Sequence, residues 1–374
     1  MASRLHVLLV AARYLPFVGG IELHVYEVSR RLAARGVDVT ILTTDPSRKL
    51  PRRESADGVR VRRVSAWPRR RDYYFAPALY SEITRIKPDV VHVQGYQTLV
   101  APVALAAAAR ARLPTVLTFH AGGHSSRLRN AVRPFQLGVL RPLIARADRL
   151  VALAPFEADE YAERLHISRE RFSIVPNGSD LPVGAARNVS RDAALVASLG
   201  RLEHYKGHHR VLSALPLVAE TRPDVRLWIA GRGSEQAALA ALARDLGVDD
   251  RVDIHAVPPE DRALLARELA SVNVAVTLSE FETQPIAALE ALSMGCKLVV
   301  ADSPGLRELA SDGLATKVPA NATRAEIAAT ILRELQQPQR DTPPTLPTWD
   351  DCAAGLHAIY SSVARNPPVD AIPA

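Results

Sequence analysis

Short apolar runs alternate with longer segments of helical spacing along this chain, and the alternation is interrupted once. In the first half, the runs at 5–12, 37–43, 89–93, 114–119, 148–153 and 172–175 are dense in Val, Leu and Ile. They predict strands buried on both faces of a parallel sheet. Between them, apolar positions recur three and four residues apart. In 20–35 they are Ile21, Val25, Val28 and Leu32, closed by Gly36. The pattern breaks at PNGSDLPVGAARNVS, which is rich in Pro, Gly, Asn and Ser and reads as a connection between domains. It then restarts, with strands predicted at 194–200, 225–230, 251–255, 272–277 and 297–301. Helices are predicted near 207–221, 234–246, 260–270 and 285–294. After the Pro-rich QQPQRDTPPTLPT, the segment WDDCAAGLHAIYSSVAR gives one last amphipathic helix. The pattern predicts two doubly wound, Rossmann-like α/β domains facing across a cleft: 1–180, 190–345, and a terminal helix in 346–374.

Length supports the division, because 374 residues exceed what one ordinary core encloses. Hydrophobic content of 48% and charged content of 23% are those of a water-soluble globular chain. The least charged stretch, Gln94 to Ala109, is too short to span a bilayer. The N-terminus leads into an apolar strand without a signal-peptide pattern, so a cytoplasmic location is expected. Cys296 and Cys352 suggest two small, buried, reduced side chains.

Charge adds a second theme. The net charge is +7, and ten basic residues lie between Arg48 and Arg71. Arg127, Arg129, Arg133, Arg141, Arg146 and Arg149 form another basic run. Such fields attract phosphates on nucleic acids, lipid headgroups or phosphorylated acceptors. Arginine-rich composition spread over solvated surface accounts for the same numbers. Aromatic residues are 5% of the chain, so platforms for stacking bases are poorly supplied and no nucleic-acid partner is expected. Helix 127–146, with Leu128, Val132, Phe135, Val139, Leu140 and Leu143 beside its arginines, reads either as an interfacial helix or as ordinary packing.

The candidate chemistry lies at predicted strand ends, where parallel α/β sheets bind ligands and helix N-termini offer N–H groups to anions. Strand 195–199 leads into GRLEHYKG. That segment carries Gly200, Arg201, Lys206 and Gly207: either two cations for a diphosphate or two surface charges in a turn. Strand 227–230 ends in IAGRGSE, where Gly231 and Gly233 flank a tight turn. In SEFETQPIAALEALSMGC, Pro285 suits the first turn of a helix capped by Gln284 or Thr283. Glu282 then falls in the preceding loop and Glu290 more than a turn inside. A carboxylate among PIAALEALSMG needs a partner, and two such groups can hold sugar hydroxyls. In the first half Gly19 and Gly20 open a helix after the first strand. His120 ends the next candidate strand as TFH, which reads as a cleft residue or a structural one. Glu22, His24 and His124 are lesser candidates on the same rim. No Asp-x-Asp pair and no His/Cys cluster of metal-ligand spacing occurs, so no metal is expected.

Taken in order, these segments resemble family four of the retaining glycosyltransferases, with the GT-B fold. They are the GG loop, TFH, VPNG, GRLEHYKG, IAGRG, the Glu282–Glu290 spacing with its EAL and SMG, and the helix from Trp349. The resemblance implies an acceptor domain in the first half and a donor domain in the second, with the last helix crossing back to the first. It implies that Arg201 and Lys206 bind the donor diphosphate, Glu282 the donor sugar and Glu290 the ribose, with His120 near the anomeric centre. Gly20 would meet the phosphates, and Gly19, Gly200, Gly207, Gly231, Gly233, Pro285, Ile286 and Ala287 complete the implied donor contacts. Its co-substrate would be a UDP- or GDP-linked sugar, with no cofactor or metal. The acceptor would carry a hydroxyl, as a sugar, a lipid-linked glycan or a small metabolite does. The basic runs fit an anionic acceptor or peripheral docking on the inner face of the plasma membrane. Gln284 and Pro285 stand where the family commonly has Phe-Gly, and proline removes one N–H from that turn. A sugar-nucleotide 2-epimerase or a glycosyl phosphorylase shares the architecture. The epimerase's acid–base motif is not found, however, and the phosphorylase's lysine would have to be Lys206, Lys297 or Lys317.

Overall fold

The computed structural model describes residues 4–17, 19–68, 74–120, 127–182, 184, 194–258, 260–339 and 342–365. They fall into two compact units, one within Met1–Ala121, Leu128–Gly178 and Thr348–Ala374, the other within Gly122–Arg127 and Ser179–Pro347.

In the first unit the order is β1 (His6–Ala11), α1 (Gly20–Ala34), β2 (Asp38–Asp45), β3 (Arg53–Ala56), β4 (Val59–Ser65), α2 (Ala78–Ile86) and β5 (Val90–Gln94). Then follow α3 (Val100–Ala111), β6 (Thr115–Thr118), α4 (Arg127–Ile144), β7 (Arg149–Ala152), α5 (Pro155–Leu165) and β8 (Phe172–Ile174). The sheet runs β3-β4-β2-β1-β5-β6-β7-β8, with β3 its one antiparallel member. β1 and β5 are buried through nearly their whole length, as their unbroken apolar runs predict.

The second unit holds β9 (Leu195–Leu199), α6 (His208–Thr221), β10 (Arg226–Ala230), α7 (Gln236–Asp245), β11 (Val252–His255) and α8 (Arg262–Ser271). It continues with β12 (Val274–Thr277), α9 (Ile286–Ser293), β13 (Lys297–Ala301), α10 (Leu306–Ser311), β14 (Thr316–Val318) and α11 (Arg324–Gln336). Its sheet, β11-β10-β9-β12-β13-β14, is parallel throughout. The strand order reverses between β9 and β12 in this sheet, and between β1 and β5 in the other. Ligands bind such sheets beyond the carboxyl ends of the strands at the reversal.

The edge hairpin β3–β4 was not expected, because it lies inside the basic run. Val59 and Val61 face inward while Arg60 and Arg62 alternate outward, too little apolar density to read as a buried strand. The hairpin also absorbs much of the charge. Arg60 pairs with Asp38 at 2.6 Å, Arg62 with Glu82 at 3.2 Å and Arg63 with Glu54 at 2.7 Å. Arg63 is buried and donates to the carbonyls of Leu15 and Pro51, so it is a structural cation. Arg69, Arg70 and Arg71 lie outside the described residues.

The last helix, α12 (Trp349–Arg365), packs on α1 of the first unit. Trp349 and Tyr360 are fully buried, and Arg35 donates to the Asp350 carbonyl at 3.1 Å. Gly178 makes that approach feasible: a Cβ there would lie 2.1 Å from the Trp349 nitrogen. Gly178→Ala should therefore cost about 2 kcal/mol or more by overpacking. Gly138→Ala in α4, where nothing lies within 4 Å of the added Cβ, should be neutral or stabilise by up to ~1 kcal/mol. Denaturant titrations of both variants check the contrast, and equal effects would contradict the packing described.

Candidate functional site

Where β9 and β12 part, two loops meet. The one after β9 turns through Gly200, whose φ of +131° suits glycine, and through a short 3-10 turn ending at Lys206. Gly207, at φ +76°, then starts α6, and a Cβ there would lie 2.4 Å from the Leu278 carbonyl oxygen of the loop after β12. The Glu280 amide donates to the Tyr205 carbonyl at 2.9 Å. Backbone against backbone, the loops bring Lys206 to Glu282: Lys206 Nζ donates to Glu282 Oε1. Ser279 Oγ donates to the same oxygen at 2.7 Å. The Glu282 amide is held by the Pro304 carbonyl at 3.1 Å, and Gly305 packs where no Cβ would fit.

The electrostatics follow from burial. The side chains of Lys206 and Glu282 are 14% and 12% exposed. Burial works against the ammonium, but the adjacent Glu282 carboxylate outweighs it, and Lys206 is held above its ordinary value. Its ammonium also lies 5.3 Å from the centre of the Tyr205 ring. Arg201 is half-exposed and donates to Glu203 at 2.7 Å and to the Tyr205 hydroxyl at 2.8 Å. His208 anchors the turn from beneath. Its Nε2 faces the Arg201 carbonyl at 3.0 Å and its Nδ1 the Ser198 hydroxyl at 2.7 Å. Burial holds His208 down to about 4, so the ring is neutral and donates to that carbonyl. Two cations and a carboxylate are thus fixed by groups that do not need a ligand.

Gly231 and Gly233 serve the same junction by packing. A Cβ at Gly231 would lie 1.9 Å from the Gly200 carbonyl oxygen, and one at Gly233 2.3 Å from that of Leu202. The space beside these glycines is filled by the turn after β9. α9 begins one residue later than expected, with Pro285 as its N-cap at φ −78°, ψ 90° rather than in its first turn. Pro285 is itself extended at that ψ, so the first helical residue is Ile286 and Gln284 lies one position too early to cap it. No side chain caps this end, which leaves the first amides, those of Ile286 and Ala287, facing out of the helix. Glu290, inside α9, is 6% exposed in its side chain and pairs with Arg262 at the start of α8. The partner demanded for a buried carboxylate is therefore an arginine that the sequence did not single out.

In the first unit the reversal between β1 and β5 gathers the remaining candidates. Gly19 is the N-cap of α1 with an extended backbone, and a Cβ there would strike the Glu22 carboxylate. Gly20 is the first residue of the helix. Glu22, buried, accepts from Arg13 at 2.9 Å. His24 is not on a rim but 1% exposed, with Nδ1 2.7 Å from the Asn177 side-chain oxygen. His120 lies two residues beyond β6, buried, with its ring 4.7 Å from that of His24. Its φ of +48° is left-handed in a non-glycine residue that caps no helix. Its Nε2 lies 2.6 Å from Gln94 Oε1, and Gln97 donates to the Phe119 and His120 carbonyls. Burial, with His24 and His92 beside it, pushes His120 well below its ordinary value. His124 lies outside the described residues. Gln94, Gln97 and Arg262 were missed by sequence reasoning. Among the described residues no group of three or more His, Cys, Asp or Glu side chains is placed to hold a metal ion.

Two α/β units, each on a largely parallel sheet with its polar candidates gathered beyond the strand ends, have the architecture of the GT-B glycosyltransferases. Residues 18–182 match the profile of Glycosyltransferase Family 4, and residues 185–342 that of Glycosyl transferases group 1. The chain belongs to this family. It is 32% identical over 368 residues to the glycogen synthase of Mycobacterium tuberculosis, covering 89% of this chain and 87% of that one. It is 31% identical over 360 residues to the D-inositol 3-phosphate glycosyltransferase of Frankia alni, covering 86% of each. Among solved structures it is similar in fold to Anabaena Alr3699/HepE in complex with UDP and glucose: TM-score 0.68, 19% identity, 96% and 95% of the two chains covered. Sucrose-phosphate synthase from Thermosynechococcus elongatus gives 0.71 at 19% identity, with 97% of each chain covered.

Proposed function

We propose that this enzyme is a retaining glycosyltransferase. It takes a sugar from a UDP- or GDP-linked donor and needs no metal ion. The observation that carries this reading is the Lys206–Glu282 pair, with Arg201 beside it, where β9 and β12 diverge. The cations are assigned to the donor diphosphate. The carboxylate is assigned to the donor sugar: among the described residues both of its side-chain bonds end on Oε1, and Oε2 is assigned to a sugar hydroxyl. Glu290, steadied by Arg262, is assigned to the ribose, and the outward-facing amides of Ile286 and Ala287 to the donor as well.

The reaction we favour runs on one face of the sugar. The acceptor oxygen bonds to the anomeric carbon as the bond from that carbon to the diphosphate oxygen breaks. The departing diphosphate takes the acceptor's proton. Its growing negative charge is met by the largely buried Lys206 and the half-exposed Arg201, both already in place. His120 is assigned to the anomeric centre. Burial disfavours its imidazolium form, so its part is positional, not that of a proton carrier. The acceptor is proposed to be anionic or lipid-linked, in keeping with the arginines of the first unit and with a relative named for inositol 3-phosphate.

Release of nucleoside diphosphate from UDP-sugars and GDP-sugars, with water or acceptor, tests this reading. Turnover should survive EDTA. Lys206→Ala or Arg201→Ala should lower kcat by roughly 10²–10³, as loss of a charge-stabilising donor does elsewhere. Near-normal turnover in either variant would refute that residue's role, and abolition by EDTA would refute metal independence.

Peripheral membrane docking belongs to the same proposal. No helix among the described residues is long and apolar enough to cross a membrane. α4, however, leaves Val132, Phe135 and Val139 exposed at 47%, 74% and 60%, on one stripe of an arginine-rich helix. Leu137, Leu140 and Ile144 on its other side are buried. The protein should sediment with anionic vesicles at low salt and less so at high salt. Phe135→Ser should weaken that binding, whereas no sedimentation at low salt would end the docking idea.

A further inference from the structure

His120 is held by two glutamines, and the way they hold it determines which of its nitrogens carries the proton. Gln94, the last residue of β5, presents Oε1 to His120 Nε2 at 2.6 Å and its Nε2 to His92 Nδ1 at 3.1 Å. That His92 nitrogen also faces the Tyr360 hydroxyl of α12 at 2.6 Å, while His92 Nε2 faces the Thr118 hydroxyl at 2.7 Å. Tyr360 O–H donates to the single lone pair of His92 Nδ1 and His92 Nε2–H donates to Thr118, while the Gln94 amide nitrogen lies against the His92 ring, 3.1 and 3.4 Å from its two nitrogens. An amide oxygen only accepts, so at 2.6 Å the Gln94 oxygen takes its hydrogen bond from His120 Nε2–H. The reversed amide would present N–H to His120 and leave its proton on Nδ1.

Gln97 acts on the backbone. Its amide nitrogen lies 3.0 Å from the Phe119 carbonyl oxygen and 2.9 Å from that of His120. These bonds hold a residue whose φ is +48°, a conformation costing on the order of 1 kcal/mol or more without such support. Gly95, at φ +75°, gives the turn its shape, since a Cβ there would lie 2.5 Å from Gln97 Oε1.

We infer that Gln94 and Gln97 are positioning residues for the transfer reaction, Gln94 holding the His120 ring in its Nε2–H form and Gln97 holding its backbone in the left-handed conformation. The inference rests on the proposed place of His120 at the anomeric centre. The ring then keeps a lone pair on Nδ1 and does not wander between tautomers from one turnover to the next. The titratable groups acting on it are His24 from α1 and His92 from β5, with Tyr360 of α12 behind His92. Both histidines are themselves pushed down by burial, His24 to about 4.

The test uses the full-length protein labelled with 15N-histidine. His120 is assigned by loss of its signals in His120→Gln, and spectra are taken from about pH 5 to 8. The Nε2–H pattern is expected, without titration across that range. Gln94→Glu should let the same N–H meet a carboxylate, which favours a second proton and brings His120 into titration within the range. Donor turnover in that variant should acquire a new acid limb. Gln97→Leu should lower kcat at least ~10-fold with donor KM changed less than ~3-fold, the split expected when geometry rather than binding is lost. An Nδ1–H pattern in the unaltered protein, or free titration near the ordinary histidine value, would overturn the role of Gln94. Unchanged kcat in Gln97→Leu would overturn that of Gln97. The spectra report on the ring whether or not any nucleotide sugar is turned over, so an enzyme inert to every donor would sink the functional reading and leave the tautomer result standing.

Discussion

An ammonium and a carboxylate meet where two parallel strands of the second unit diverge, and the local structure is arranged around keeping them together. Neither Lys206 nor Glu282 is well solvated, so each depends on the other for its charge. That dependence explains the close backbone packing around them. Gly207 lies against Leu278 and Gly305 against Glu282, while Gly231 and Gly233 lie against the turn after β9, with no room for a side chain at any of the four. The glycines act first on geometry, by letting two loops approach closely enough for the charges to pair.

The first unit solves a related problem with neutral groups. Its polar centre is a connected set of imidazoles, amides and hydroxyls running from Tyr360 through His92 and Gln94 to His120. Burial keeps the histidines uncharged. A hydrogen-bonded neutral network can be buried at modest cost and favours one arrangement. Because Tyr360 belongs to the terminal helix, the last segment of the chain helps to order residues near the end of β6.

Most of the parallel strands were legible in the sequence because burial on both faces leaves continuous apolar runs, as in β1 and β13, whereas the three-residue edge strand β14 was missed. The hairpin β3–β4 was not legible either, since its few valines are interspersed with arginines, of which Arg60 and Arg62 turn outward. At the site, Arg201, Lys206, Glu282 and Glu290 stood out as charges at strand and helix ends. Arg262 did not, because its partner lies 28 positions away and nothing local marks it. Gln94 and Gln97 were invisible for another reason. An amide gives no charge signal, and its value here comes from which carbonyls and ring nitrogens the fold sets around it. The start of α9 was misjudged by one residue, within the ordinary fraying of helix ends.

The central claim, that Lys206 beside Glu282 is the diphosphate-holding cation, is tested most directly by calorimetric titration with nucleoside diphosphates and their monophosphates, for uridine and guanosine. The unaltered protein should bind one diphosphate at least ~10-fold more tightly than the matching monophosphate, the difference expected of one charge-assisted contact. In Lys206→Met that preference should collapse while monophosphate binding persists. A preference undiminished in the variant would contradict the account.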